Sequence, residues 1–199
     1  MTHKIIDRDF FSQPTLTVAR ALLGQRLVRM VKGERLSGVI VESEAYFGPD
    51  DTANHASKGR TARTEVMFGP PGRTYVYLIY GMYYMLNLVT EPESFPAAVL
   101  IRALEPVEGL NSMRRYRQGA KPSVSLTNGP GKLSQALQID KTLHNWDVTF
   151  GQRLWLEQGQ PVSDSAITTG SRVGISYAAP KDQALPWRFW ISGSKFVSR

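Results

Sequence analysis

An acidic stretch between residues 42 and 55 carries side chains that could perform acid–base chemistry. Glu42, Glu44 and Tyr46 alternate along a predicted strand, so period-two geometry places all three on the same face. Burial beside aromatic rings raises the pKa of a carboxylate and suits it to act as a general base. The pattern therefore predicts a catalytic carboxylate at Glu42 or Glu44, and periodicity alone does not choose between them.

Two other interpretations of this stretch stay open. Asp50, Asp51 and His55 follow the glutamates and add oxygen and imidazole donors, although their spacing matches no known metal motif. A metal-dependent hydrolase is therefore one alternative. The other is a strand whose acidic side simply faces solvent.

Residues 74–89 are unusually rich in tyrosine and are typical of a hairpin of two strands. We assign Tyr75 and Tyr84 to core packing, the usual role of tyrosines in strands. Tyr80 lies at the predicted bend, where a large rigid ring buries little unless a partner receives it, and there it suits insertion into a base stack. Asn87 interrupts an apolar strand and needs a hydrogen-bond partner, either the backbone or a base edge.

Two further features could contact anions. Arg102 interrupts the apolar run VLIRAL and needs a negative partner, which would be Glu42 or Glu44, a DNA phosphate, or both. The Gly-rich turn from Asn128 to Lys132 precedes a predicted helix and could hold phosphate, but it lacks the spacing of a nucleotide P-loop. Ordinary helix capping is the favoured interpretation of that turn.

The elements that must position these residues are mainly strands. Residues 15–23 have helical periodicity and are followed by a glycine. Strands are predicted over residues 26–31, 36–46, 75–79, 83–89 and 97–104, with more in the segments VTFGQRLWLE and WRFWISG. Further helices are predicted from Glu105-Pro106 to about Gln118 and from Asn128 to about Leu137. We therefore expect an α+β fold, a single mixed domain over residues 1–199 with a curved, largely antiparallel sheet.

The composition restricts the partner and the compartment. The 199 residues contain 24 Lys and Arg against 17 Asp and Glu, and the net charge of +7 favours nucleic acid first and a membrane surface second. The chain has no cysteine, which excludes disulfides, thiolate zinc sites and iron–sulfur clusters. We find no apolar run long enough to span a membrane and no apolar signal core at the N-terminus.

The positive charge is concentrated in three segments, residues 58–73, residues 102–121 and the last twelve residues. Residues 40–57 contain acids and no lysine or arginine. A non-catalytic nucleic-acid binder that stacks bases on its tyrosines has little use for such an acidic segment. An enzyme that acts on a polyanion needs both cations for phosphates and a carboxylate for chemistry.

Four segments together resemble the alkyladenine (3-methyladenine) DNA glycosylase family. They are VESEAYFGPDDTANHAS, MFGPPGRTYVYLIYGMYYMLN, VLIRALEP and NGPGKLSQAL, in the order of the family, with a weaker match at SRVGIS and RFWISGSKFVS. The resemblance covers most of residues 10–199 and implies flanking helices and a protruding Tyr-rich hairpin. The basic loop at residues 58–66 looks slightly shorter than in some relatives, which leaves the contacts of Arg60 and Arg63 open.

The resemblance implies roles for individual residues. Glu44 matches the general base that activates the attacking water, and Arg102 matches a residue near that water and the target phosphate. Tyr80 matches the residue that fills the gap left by a flipped nucleotide. The base pocket would be formed by Tyr46, His55, Tyr77, Asn87 and Val173, where Asn87 excludes guanine and Val173 holds the water. The predicted DNA contacts are Met67, Met82 and Arg117, together with Lys132 of the Gly-rich turn.

The implied activity is base excision from duplex DNA that contains damaged purines. Alkylated or deaminated purines of the 3-methyladenine, 7-methylguanine, hypoxanthine and ethenoadenine class would be flipped out, and the N-glycosidic bond would be hydrolysed. No lysine is placed as a Schiff-base nucleophile, so we expect a monofunctional enzyme without a lyase step. We expect no metal, cofactor or membrane partner, a monomer, and a bacterial cytoplasmic location at the nucleoid, or a nuclear one in a eukaryote.

Overall fold

The computed structural model describes residues 4–118 and 123–198, and in this part of the chain eight strands form one sheet. All strand pairings are antiparallel. The strands are β1 (Arg26–Val31), β2 (Glu34–Phe47), β3 (Thr74–Ile79), β4 (Tyr83–Val89), β5 (Ala97–Glu108), β6 (Leu154–Glu157), β7 (Ile167–Gly170) and β8 (Arg188–Ile191). The predicted α+β class with an antiparallel sheet is confirmed.

The long strand β2 organises the sheet. It pairs with β5 along most of its length, while its first half pairs with β1 and its second half with β8 on the other side. The main path runs β3-β4-β5-β2-β1-β6, and β7 extends the sheet beyond β8. Register shifts between β2 and β5 near Glu42 mark bulges, which bend a strand and redirect its side chains.

In the described part of the chain, five short α-helices accompany the sheet: α1 (Arg8–Phe11), α2 (Thr15–Ala21), α3 (Leu110–Tyr116), α4 (Pro130–Ala136) and α5 (Pro180–Gln183). Helix α2 packs on β2 and β5, and the Ser43 hydroxyl of β2 donates a hydrogen bond to the Ala19 carbonyl at 2.7 Å. Helix α4 packs on β4 and β5. No helix in the described ranges is both long enough and apolar enough to cross a membrane.

The predicted helix from Glu105 is wrong at its start, because β5 continues to Glu108 and α3 begins only at Leu110. The extra strand residues have partners in β2: Glu105 pairs with Val39, and the Glu108 carboxylate accepts a hydrogen bond from Arg35 Nε at 2.8 Å. Gly109 then turns the chain with a φ of 76°, a conformation that L side chains rarely adopt. Cross-strand pairing thus overrides the proline and acids that resembled a helix start.

The sheet has two chemically different faces, which follow from the period of two along each strand. One set of alternate residues, including Val76, Leu86, Val99 and Ile101, is buried in the main hydrophobic core with α2 and α4. The intervening residues point to the opposite face, where a cavity opens. They are Tyr75 and Tyr77 on β3, Met85 and Asn87 on β4, and Ala98, Leu100 and Arg102 on β5.

Candidate functional site

A cavity of about 500 Å³ lies on the face of the sheet that turns away from the main core. This volume is within the roughly 300–1,000 Å³ typical of small-molecule pockets. Residues far apart in the sequence converge on it because β3, β4, β5 and β2 are neighbours in the sheet. Eight residues predicted from the sequence line the cavity: Tyr46, His55, Met67, Tyr77, Tyr80, Asn87, Arg102 and Val173.

Glu44 lies directly behind residues that line this cavity and has no exposed surface. Its Oε1 atom accepts a hydrogen bond from the Val173 backbone N–H at 2.8 Å and lies 3.1 Å from Nη1 of Arg102. Its Oε2 atom accepts a hydrogen bond from the Tyr46 hydroxyl at 2.7 Å. All three partners line the cavity. Both carboxylate oxygens are therefore held in fixed directions by groups that a bound molecule would also meet.

Glu42 is equally buried but faces structural partners. Its Oε1 atom accepts hydrogen bonds from Arg102 Nε at 2.9 Å and Arg188 Nε at 2.7 Å, and also from the Ser198 hydroxyl. Its Oε2 atom accepts a hydrogen bond from the Ser198 backbone N–H at 2.6 Å. Glu42 thus ties the sheet to the C-terminal segment. The interpretation of an acidic strand face in solvent is wrong for both glutamates.

Arg102 bridges the two glutamates and is only 6% exposed. Burial alone would lower the pKa of Arg102, but the charges of Glu44 and Glu42 outweigh it and raise the pKa above its ordinary value. The guanidinium therefore stays charged and balances two carboxylates. The sequence-based alternative in which a glutamate is its anion is confirmed.

An aromatic wall forms one side of the cavity. The ring centroids of His55 and Tyr77 are 4.7 Å apart with an interplanar angle of 73°, and Tyr77 lies 5.2 Å from Tyr75. Burial and then the charge of Arg63 lower the pKa of His55 to about 4, so the imidazole is neutral near pH 7. Burial raises the pKa of Tyr77, so its hydroxyl keeps its proton. The two rings themselves are therefore uncharged near pH 7.

Tyr75 is buried as predicted, at 2% exposure, but it does more than pack. Its hydroxyl lies 2.9 Å from His55 Nδ1 and accepts a hydrogen bond from Arg63 Nε at 3.1 Å. Asn87 donates a hydrogen bond from Nδ2 to the Tyr75 carbonyl at 3.0 Å, which confirms the backbone alternative for its amide. Asn87 also lines the cavity, opposite Leu100 in the β4–β5 register.

The hairpin between β3 and β4 exposes its turn. Tyr80 is 80% exposed and Met82 is 61% exposed. Tyr80 has a φ of 53° and Gly81 a φ of 68°, so a bulky non-glycine residue occupies a left-handed conformation in a turn. A left-handed conformation costs about 1–2 kcal/mol for an L-residue. The hairpin therefore presents a large aromatic ring to its surroundings at a cost in backbone energy.

The remaining predicted DNA contacts lie in different surroundings. Met67 is 2% exposed and belongs to the cavity wall. Arg117 donates hydrogen bonds to the Gln135 side chain and the Ser125 carbonyl. Lys132 Nζ donates to Asn128 Oδ1 at 2.9 Å, so these two ends of the Gly-rich turn are tied together, and no side chain of this turn caps α4.

Three arginines of the positively charged segments pair with acids inside the molecule. Arg102 and Arg188 bind Glu42, and Arg73 lies 3.7 Å from Asp147. These arginines counted towards the basic segments, yet their charges are balanced by buried acids. Lys121 and Arg199, which also belong to those segments, lie outside the described residues.

The donors proposed for a metal are engaged elsewhere. Asp51 is 3% exposed, and its carboxylate oxygens accept hydrogen bonds from Nη1 and Nη2 of Arg172 at 2.6 Å and 2.8 Å. Asp50, in contrast, is exposed. Among residues 4–118 and 123–198, no three His, Asp or Glu side chains gather into a group that could hold a metal ion.

The sequence left the contacts of Arg63 open and missed two residues of the site, Arg172 and Tyr177. Arg63 stacks over the Tyr77 ring, with 5.0 Å from its guanidinium carbon to the ring centroid. Tyr177 lines the cavity and donates its hydroxyl to the Ala53 carbonyl at 2.9 Å, although it is 63% exposed. Arg172 lies behind the cavity, where it donates hydrogen bonds to the Asp51 carboxylate. Arg172 lies within the matched segment SRVGIS and Tyr177 directly follows it, so their position in the chain was the available signal.

Comparison with known proteins identifies the family of this chain. Residues 9–195 match the family model of methylpurine-DNA glycosylases. A protein of Methanocella arvoryzae named "Putative 3-methyladenine DNA glycosylase" is 49% identical over 195 residues, which cover 98% of this chain and 96% of its own. Proteins of the same name from Alkaliphilus oremlandii and Bacillus cytotoxicus are 46% and 47% identical, covering 98% and 96% of this chain and 98% and 97% of theirs. The chain belongs to the methylpurine-DNA glycosylase family.

Proposed function

We propose that this DNA glycosylase removes alkylated or deaminated purines, of the 3-methyladenine, 7-methylguanine, hypoxanthine and ethenoadenine class, from duplex DNA. The observation that carries this proposal is the buried Glu44, held by Tyr46, Arg102 and Val173, which all line an aromatic cavity. A carboxylate in that place can accept a proton from a water molecule that attacks the sugar of a base bound in the cavity.

The cavity suits a flat base that has left the duplex. A base inside the stack cannot reach a recessed carboxylate, so the target nucleotide must be flipped out, at a cost of a few kcal/mol that is smallest for damaged bases. The neutral rings of His55 and Tyr77 provide an aromatic surface for the base. Cationic alkylpurines gain most from such surfaces because the aromatic face carries partial negative charge.

Tyr80 would occupy the gap that the flipped nucleotide leaves. Its ring is 80% exposed at the end of a hairpin whose strands also carry Tyr77 and Asn87 of the cavity. The same hairpin therefore connects the inserted ring to the wall that receives the base. Insertion of a side chain between base steps is a known way of compensating for unstacking.

The chemistry would be hydrolysis through a sugar with oxocarbenium character. The C1′–N bond breaks and the purine leaves with the bonding electron pair, while Glu44 removes a proton from the water that bonds to C1′. The negative charge of Glu44 stabilises the developing cation. The Val173 N–H and the Tyr46 hydroxyl donate to Glu44, which keeps its oxygens oriented. Arg102 stays charged between Glu42 and Glu44 and limits the electrostatic repulsion between the two carboxylates.

We propose that the enzyme is monofunctional. A lyase step needs an amine that attacks C1′ to form a Schiff base. Within the described ranges no lysine lines the cavity. Water activated by Glu44 is then the nucleophile, and the product is an abasic site with an intact strand.

The test is release of hypoxanthine or 3-methyladenine from a duplex that carries one such base. Glu44→Gln preserves the size of the side chain and removes its charge and basicity, so we expect loss of excision with retained folding. Glu93→Gln is the matched control, because Glu93 is exposed and lies outside the cavity. Excision by Glu44→Gln at the wild-type rate would exclude Glu44 as the general base.

A further inference from the structure

Behind the cavity lies an ion pair that the proposed reaction does not use directly. The side chains of Arg172 and Asp51 are 0% and 1% exposed. Nη1 and Nη2 of Arg172 donate to the two carboxylate oxygens of Asp51 at 2.6 Å and 2.8 Å, a bidentate arrangement with a defined geometry. Both side chains are thereby fixed in orientation.

Arg172 also holds the end of strand β2. Its guanidinium carbon lies 4.7 Å from the centroid of the Tyr46 ring and 4.9 Å from that of Trp187. Nη1 donates a further hydrogen bond to the Ala45 carbonyl at 2.9 Å. The ring of Tyr46 and the backbone beside it are therefore both in contact with one planar cation, which stacks well on aromatic faces.

Two of the three groups that bind Glu44 belong to residues that this pair controls. The Tyr46 hydroxyl donates to Oε2 of Glu44, and its ring packs against Arg172. The backbone N–H of Val173, the next residue after Arg172, donates to Oε1 of Glu44. A change in the position of Arg172 therefore moves both donors. Each donor binds a different carboxylate oxygen of Glu44.

We propose that Arg172 and Asp51 form a positioning pair that holds Glu44 in the orientation needed to activate water. The proposal rests on the proposed role of Glu44 as general base. Because the pair is buried, it does not contact DNA or the flipped base, and it acts through Tyr46, Val173 and the Ala45 backbone. Its loss should lower the rate of bond cleavage and leave the affinity for DNA unchanged.

The test compares Arg172→Met and Arg172→Lys with the wild-type enzyme in single-turnover excision of hypoxanthine. We expect Arg172→Met to lower the rate constant by about 100-fold, the effect that a displacement on the order of 1 Å can have on a catalytic group. Its Kd for the same duplex should stay within about two-fold of wild type, since no contact with DNA is lost. Arg172→Lys keeps the positive charge but loses the bidentate pairing with Asp51. It should therefore recover only part of the wild-type rate.

A pH profile separates positioning from a purely structural role. A displaced general base should change the shape of the pH dependence of the excision rate in Arg172→Met, whereas a merely structural loss leaves the profile unchanged. The matched control is Arg8→Met, because Arg8 also pairs with a buried aspartate, Asp147, but touches none of the residues around Glu44. Arg8→Met should keep the wild-type rate and profile even where its stability falls.

The outcomes are distinct. A folded Arg172→Met or Arg172→Lys variant with the wild-type rate and pH profile would overturn the positioning role, while an inactive Glu44→Gln would still support the proposed function. Active Glu44→Gln would overturn both. If Arg172→Met does not fold, Arg172→Lys decides: a reduced rate with unchanged Kd supports the proposal, and an unchanged rate overturns it.

Discussion

His55 should make the stability of the folded protein depend on pH in a defined interval. Burial, and then the charge of Arg63, lower the pKa of His55 from the ordinary 6.5 to about 4. The folded state therefore binds fewer protons than the unfolded chain at pH values between about 4 and 6.5. The neutral His55 ring contributes fully to the free energy of unfolding above this pH interval. This contribution is lost as the pH falls through the interval.

The size of the effect follows from the two pKa values. Between about pH 7 and about pH 5, the free energy of unfolding should fall by about 2 kcal/mol through His55 alone. Below the folded-state pKa the loss levels off, because both states are then protonated. Other carboxylates also titrate in acid, so the wild-type slope alone does not isolate this contribution.

The assay is urea unfolding of the wild type and His55→Asn at both pH values. The asparagine cannot be protonated, so the fall in unfolding free energy should be about 2 kcal/mol smaller in the variant. An NMR titration of the His55 ring should in addition give a midpoint near 4. Equal losses in the two proteins, together with an ordinary midpoint, would refute the argument that burial keeps this ring neutral.

Three further outcomes are expected. Tyr80→Ala should weaken excision without loss of stability, whereas Phe150→Ala, which removes another exposed ring, should leave excision unchanged; a normal rate for Tyr80→Ala would exclude insertion. Glu42→Gln should lower the unfolding free energy in urea by about 3 kcal/mol, because two arginines lose a buried partner. Gly109→Ala should cost about 1–3 kcal/mol more than Gly33→Ala, since its Cβ would lie 2.1 Å from Leu36 whereas Gly33 has open space; equal losses would contradict this.

The sequence predicted most strands of the sheet because their periodicity is local. Alternation of side chains along residues 83–89 depends only on that segment, and the observed β4 has the same bounds. The end of β5 could not be predicted in this way. Glu105-Pro106 has the local composition of a helix start, but pairing with Val39 and Gly38 in β2 keeps the chain extended.

The residues of the candidate site also fall into those that local sequence identified and those that only the fold brought together. Residue types and motif order identified the acidic segment, the Tyr-rich hairpin and the family, because each of these features depends on short segments of the sequence. The distinction between Glu42 and Glu44 in their surroundings came from the tertiary structure, where one meets the C-terminal segment and the other the cavity. The ion pair between Arg172 and Asp51 could likewise not be predicted from the sequence, because the two residues are 121 positions apart and only folding brings them together.

What the sequence determined by itself was therefore the set of chemical groups and the alternation that sorts them onto two sheet faces. What only the tertiary structure decided was which groups meet. Hydrogen bonds and ion pairs act over a few ångströms, and the distances between residues on different strands depend on strand order, register and bulges rather than on local pattern. That is why the carboxylate, its donors and the aromatic wall become a site only in the folded sheet.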